Sequence, residues 1–114
     1  MVLEKRTRVE IFLPIRTDTT DYRAVTEWLS EELALARGGS TLTTPFTGLY
    51  SSASASGVVR DKIQILFCDL DLDYDDLIHH TKLLTYLEEL RQLLMDLLDE
   101  EDVWIIHYSV TRTR

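Results

Sequence analysis

The sequence predicts an α+β domain in which two helices cover one face of a four-stranded antiparallel sheet, the split βαβ or ferredoxin-like arrangement. Three observations predict it. Arg6–Ile15 and Arg60–Leu70 read as the two most apolar strands of the chain, the stretch between the capping run Asp18–Asp21 and Gly38-Gly39 and the stretch Tyr74–Leu98 read as helices, and the elements follow one another as strand, helix, strand, strand, helix, strand. The 114 residues suit one domain spanning 1–114, and 45% hydrophobic residues supply a core without covalent staples.

In the first strand, Val9, Ile11, Leu13 and Ile15 alternate with Arg8, Glu10 and Phe12, which predicts one buried face. Pro14 falls near its end, where a missing N–H is tolerated. Asp18-Thr19-Thr20-Asp21 offers capping oxygens for a helix in which Tyr22, Val25, Trp28/Leu29, Leu33 and Ala36 recur at helical spacing. Gly38-Gly39 ends that helix. Thr41–Tyr50 reads as an edge strand interrupted at Pro45, and Ser51–Gly57 as a flexible hairpin loop. Arg60–Leu70 carries Ile63, Ile65 and Phe67 on one side and Leu66, Cys68 and Leu70 on the other, so it belongs at the centre of the sheet. In the long helix, Leu83, Leu84, Leu87, Leu90, Leu94, Leu97 and Leu98 form a wide apolar stripe. In the last strand, Val103–Thr111, Trp104, Ile106, Tyr108 and Val110 share one face, and Val103, Ile105, His107 and Ser109 the other.

Two helices leave one face of such a sheet bare. The expected occupants of that face are Phe12, Leu66, Cys68, Val103 and Ile105, with Leu49 beside them. An uncovered apolar face is an association surface, so the expected assembly is a homodimer or larger oligomer built through the sheet.

The charge is unevenly placed. Residues 69–102 hold twelve acids against Lys82 and Arg91, while the rest of the chain is close to balance, for a total of −8. Phosphate would be repelled by the acidic half, so no nucleic-acid partner is expected. No apolar run approaches the ~18 residues that span a bilayer, and no membrane partner is expected. Met1-Val2-Leu3 runs directly into Glu4-Lys5-Arg6 without the pattern of a signal peptide, which points to a cytoplasmic protein. Cys68 is the single cysteine; it sits in an apolar strand followed by acids, which fits a buried small side chain and disfavours a thiolate.

Chemistry-bearing residues crowd at one junction, Cys68-Asp69-Leu70-Asp71-Leu72-Asp73-Tyr74-Asp75-Asp76, with His79-His80 close behind. Asp69, Asp71, Asp73 and Asp75 match four positions of a calcium loop, but Tyr74 replaces the turn glycine and His80 the bidentate glutamate, which excludes it. Asp75/His79 and Asp76/His80 are each four apart, on one helical face, where oxygens and an imidazole can hold a divalent ion. The same aspartates complement the positive end of a helix. His107 is the best-placed general acid or base; with Tyr50 and Tyr108 it is the candidate lining of a ligand cavity at the sheet. Gly38-Gly39-Ser40-Thr41 lacks the lysine and spacing of a phosphate-binding loop. No cofactor motif is present.

Gly39-Ser40-Thr41, Gly48-Leu49-Tyr50, Gly57 and Arg60-Asp61 before an apolar strand together resemble a pattern of uncharacterised small ferredoxin-like proteins over residues 35–70. Tyr50 stands where tryptophan is commoner, and the Ser/Ala loop is longer. The resemblance implies the hairpin and the fold, and brings no activity with it. The expected function is association, or binding of a partner or small molecule, through the bare sheet face. A small cofactor-independent enzyme for oxidation or isomerisation is the alternative, and a metal-binding regulator using His79, His80, Asp75 and Asp76 a third.

Overall fold

A computed structural model describes residues 1–15, 21–37, 39–51 and 57–114. The elements are β1 (Leu3–Pro14), α1 (Asp21–Arg37), β2 (Thr41–Leu42), β3 (Phe46–Ser51), β4 (Val58–Leu70), α2 (Leu77–Leu98) and β5 (Trp104–Thr113). The sheet is antiparallel and runs β2-β4-β1-β5, with β3 also paired to β4. β2 and β3 follow one another along the same edge, so among the described residues five strands fill four positions of the sheet. This is the ferredoxin-like α+β architecture, with the two apolar strands β1 and β4 at its centre.

Pro45 explains the divided edge strand. Leu42 pairs with Leu66 and Phe46 with Ile63, so three residues on the edge oppose two on β4. The extra residue shifts the register by one, as a bulge does, at the position whose proline has no N–H to give. Thr43 repairs the gap: its N–H donates to the Ile65 carbonyl at 3.0 Å and its hydroxyl accepts from the Ile65 N–H at 3.0 Å. The capping run Asp18-Thr19-Thr20 and the centre of the Ser/Ala loop lie outside the described residues.

Opposed residues of neighbouring strands share a face. Thr7, Val9 and Ile11 of β1 lie opposite Leu70, Cys68 and Leu66 of β4, and opposite Ser109, His107 and Ile105 of β5. This is the face the helices cover. Its side chains Val9, Ile11, Leu13, Leu66, Cys68, Leu70 and Val103 join Tyr22, Val25, Leu29 and Leu33 of α1 and Leu83, Leu87, Leu90, Leu94 and Leu98 of α2 in one core. Leu84 and Leu97, at the margins of the α2 stripe, remain 45% exposed.

The register therefore corrects the expected interface. Phe12 lies on the helix-free face, but Leu66, Cys68 and Val103 are buried beneath the helices and Ile105 packs against that core. Leu49 lies opposite Arg60, whose alternation places it with the helix-covered set. Leu66 is fully buried and Cys68 is 3% exposed, so neither can meet a partner.

α2 begins at Leu77, later than the expected Tyr74. Asp76 is its N-cap, accepting the His79 N–H at 3.0 Å. That bond favours the carboxylate and lowers the Asp76 pKa. The helix stops at Asp99, which takes a left-handed conformation (φ 51°) while Glu100 N–H reaches the Met95 carbonyl at 3.0 Å. No helix among the described residues is long and apolar enough to cross a membrane.

Candidate functional site on the helix-free sheet face

The helix-free face has two halves. Towards one end stand Phe12 of β1, Ile65 and Phe67 of β4, Trp104, Ile106 and Tyr108 of β5, and Phe46 at the edge. Trp104 is 52% exposed and Phe46 47%. Phe12 and Trp104, register partners, hold their rings tilted with centroids 6.3 Å apart. Towards the other end the same alternation brings up charges: Arg8, Arg6 and Glu4 on β1, Asp69 on β4, Arg112 and Arg114 on β5.

These charges are wired to one another. Arg8 meets Asp69 through two parallel bonds, Nε to Oδ1 at 2.7 Å and Nη2 to Oδ2 at 3.0 Å. The fork geometry suits a carboxylate, and it lowers the Asp69 pKa. The Arg8 guanidinium also lies 5.3 Å from the Phe67 ring centroid. Across β1, the Tyr108 hydroxyl bonds Glu10, which raises its pKa because ionisation would set a phenolate beside a carboxylate. Glu4 receives three arginines: Arg6 at 3.1 Å, Arg112 at 2.9 Å and Arg114 at 2.9 Å. Their hydrogen bonds, Arg114's foremost, lower its pKa to about 2. Arg6 also reaches Asp71 at 3.0 Å, yet its Nε is buried without a hydrogen-bond partner. The four arginines 6, 8, 112 and 114 stand against the carboxylates of Glu4, Glu10, Asp69 and Asp71, so this half of the face is neutral overall.

A groove of about 330 Å³ opens here, lined by Arg6, Arg112, Asp69, Phe67 and Cys68 and by the Gly39-Ser40-Thr41 segment that leads from α1 into β2. The Ser40 hydroxyl donates to the Ser30 carbonyl at 2.9 Å, fixing the loop to α1. The groove thus combines an aromatic wall, two guanidinium groups and a short stretch of hydroxyls and backbone. Its volume is within the ~300–1,000 Å³ range of small-molecule sites.

The opposite face carries a second cluster. His107, covered rather than bare, stands near Tyr74 (centroids 5.6 Å) and His80 (6.0 Å), and Tyr74 meets His80 edge-on at 4.9 Å. Nδ1 of both imidazoles is buried without a hydrogen-bond partner. Burial first, and the neighbouring His80 second, lower the His107 pKa. His107 does not meet Tyr50. Tyr50 pairs with Val59 and His107 lies in register with Cys68 through Val9, nine residues further along β4, or about 30 Å at ~3.3 Å per residue. The expected cavity shared by His107, Tyr50 and Tyr108 is therefore replaced by three separate locations; the Tyr50 side chain is outside the described residues.

The expected metal ligands also part company. Asp76 caps α2, Asp75 pairs with Lys5 at 3.7 Å, His79 accepts the Asp73 N–H at 3.3 Å, and His80 turns inward to Tyr74 and His107. Among the described residues, no three His, Cys, Asp or Glu side chains converge as metal ligands.

No protein-family model matches the chain, and no curated protein matches its sequence. Two solved structures share its fold. A phage SAM lyase in complex with S-methyl-5'-thioadenosine superimposes with a TM-score of 0.59 at 13% identity, over 94% of this chain and 90% of the other. CPII, a nitrogen regulatory PII-like protein from Thiomonas intermedia K12 bound to ADP, AMP and bicarbonate, gives a TM-score of 0.51 at 14% identity, over 99% and 100%.

Proposed function

We propose that the chain is a small-molecule-binding domain that takes an adenosine-bearing ligand in the groove of its helix-free sheet face. The observation that carries the reading is the groove itself: Phe67 offers a surface for a planar base, Arg6 and Arg112 offer charge, and Gly39-Ser40-Thr41 offers polar edges. Aromatic and arginine planes are the usual surfaces for a stacked base. Both structural neighbours were solved with ligands that contain adenosine, which supports the choice of ligand class. Calorimetric titration with AMP, ADP and S-methyl-5'-thioadenosine tests it, with GMP as the control. Saturable binding of the adenosine compounds, weakened by Phe67→Ala, is the expected result. No heat and no competition at millimolar ligand overturns it.

A second reading, self-association through the aromatic half of the same face, has its own support. Phe46, Trp104 and Ile106 are exposed and Phe12 is half-buried on the same face, an apolar patch that a lone subunit leaves largely to water. The adjoining charges balance, so this face itself adds no repulsion between two copies of a chain whose net charge is −8. The enzyme alternative draws less from the geometry. Tyr108, held by Glu10 with its pKa raised, is a poor base near neutral pH, and His107 lies on the other face.

A further inference from the structure

We infer that Arg6, Arg112 and Arg114 form a binding site for an oxyanion group, phosphate in the first instance, and that Glu4 is its built-in occupant, displaced when that group arrives. The inference rests on the groove being a ligand site, and it names the part of the ligand the arginines read.

Three guanidinium groups converge on one carboxylate, with Arg6 and Arg112 sharing Oε2 and Arg114 taking Oε1. Each guanidinium carries five N–H donors, whereas a carboxylate offers about four lone-pair positions. The cluster holds far more donors than Glu4 can accept. One of them, Arg6 Nε, is buried and unpaired, on a side chain that is 17% exposed. Arg6 and Arg112 also line the groove, so an anion entering it meets the groups that now grip Glu4.

Charge gives the selectivity. Asp71 stays on Arg6. Asp69, which also lines the groove, is matched by Arg8; with Glu4 in place the other three cations face Glu4 and Asp71, and with Glu4 rotated out they keep Asp71 alone, an excess of two positive charges. That excess suits a dianionic phosphate better than a monocarboxylate. Planar guanidinium forks match phosphate oxygens in pairs. The strand ends need not move, because the Val2 N–H and carbonyl are both bonded to Arg114's backbone at 2.9 Å. Only the Glu4 side chain has to rotate. Glu4 stays ionised throughout the physiological range, so the competitor is permanent and an incoming anion must outbid it.

The test is titration of inorganic phosphate at fixed ionic strength, followed by calorimetry, into the parent protein, Glu4→Gln, Arg112→Ala and Arg114→Ala, with acetate as the comparison anion. Apparent affinity scales with the fraction of open site, so removing the competing Glu4 carboxylate tightens phosphate by on the order of tenfold. The expected results are that gain in Glu4→Gln, loss of binding in both arginine variants, and weaker binding of acetate. Phosphate binding that Glu4→Gln leaves unchanged, or that survives Arg112→Ala and Arg114→Ala, overturns the inference. Arg114 is exposed at the chain end, so its variant keeps the test open should Glu4→Gln fold poorly. Uncharged adenosine separates the two claims. Adenosine binding without the phosphate effects removes the anion site alone; phosphate effects without adenosine binding remove the nucleoside reading alone.

Discussion

Leu66 and Phe67 are neighbours on β4, and the register sends them to opposite faces. Leu66 is fully buried, opposite Ile11 on β1 and Leu42 on β2. Truncation to alanine leaves a cavity under the helices and costs about 3–5 kcal/mol. At roughly 4 °C per kcal/mol for a domain of this size, the melting temperature falls by about 10–20 °C. Phe67 stands on the helix-free face, half-buried, under the Arg8 guanidinium. Its truncation removes part of an aromatic burial and a cation–π contact, together about 1–2 kcal/mol. The assay is thermal unfolding by circular dichroism at two protein concentrations. Leu66→Ala should lower the midpoint equally at both. Phe67→Ala should lower it by a few degrees, and any larger loss should depend on concentration, because it would then come from association. A concentration-independent loss for Phe67→Ala as large as that for Leu66→Ala would refute the assignment of faces.

Other perturbations follow from the same geometry. Asp76→Ala removes the cap of α2 and should lower the midpoint of chemical denaturation; Asp76→Ser, which can still accept the His79 N–H, should recover most of the loss. His107 is harder to protonate in the folded chain than in the unfolded one, so stability should fall as pH drops below about 6.5. His107→Phe should remove that loss and raise stability at pH 7, since the buried Nδ1 has no partner to lose; an unchanged pH profile would count against the account. Glu4 and Glu88, both held at about 2, stabilise the fold above their ordinary value of 4.5, and that part should disappear only as pH falls from there towards 2. On the self-association reading, Trp104→Glu should shift sedimentation towards the monomer while lowering the monomer's melting temperature by only a few degrees, because the ring is half exposed and packs on Phe12.

Much of the fold was legible in the chain. Composition picked out the central strands correctly, because a strand in the middle of a covered sheet needs apolar side chains on both sides. That property also hid the face. Ile63, Ile65 and Phe67 are as apolar as Leu66, Cys68 and Leu70, and Val103 and Ile105 as apolar as Trp104 and Ile106, so alternation alone could not say which set faced the helices. The charges could have said so. Asp69 shares parity with Phe67, and Arg112 with Trp104 and Tyr108, just as Arg8 and Glu10 share parity with Phe12. Carboxylates and guanidiniums belong on the face that water reaches. The groove left no such trace, because Gly38-Gly39 reads as a helix stop, Ser40-Thr41 as the lead into a strand, and Arg6 and Arg112 as solubilising charges. Only the strand order brings the two ends of the chain beside that loop. The pairing of His80 with His107 likewise depends on how α2 lies over β5, which neither segment encodes alone.

Whether an adenine nucleotide binds the helix-free face of the sheet is read by amide chemical-shift mapping of the isotope-labelled protein during titration with AMP. The largest shifts are expected at Arg6, Thr41, Phe67, Asp69 and Arg112, with His80, Leu83 and Leu87 unmoved. Shifts centred on α1, α2 or the His80–His107 cluster, with the sheet residues unchanged, would contradict binding at that face.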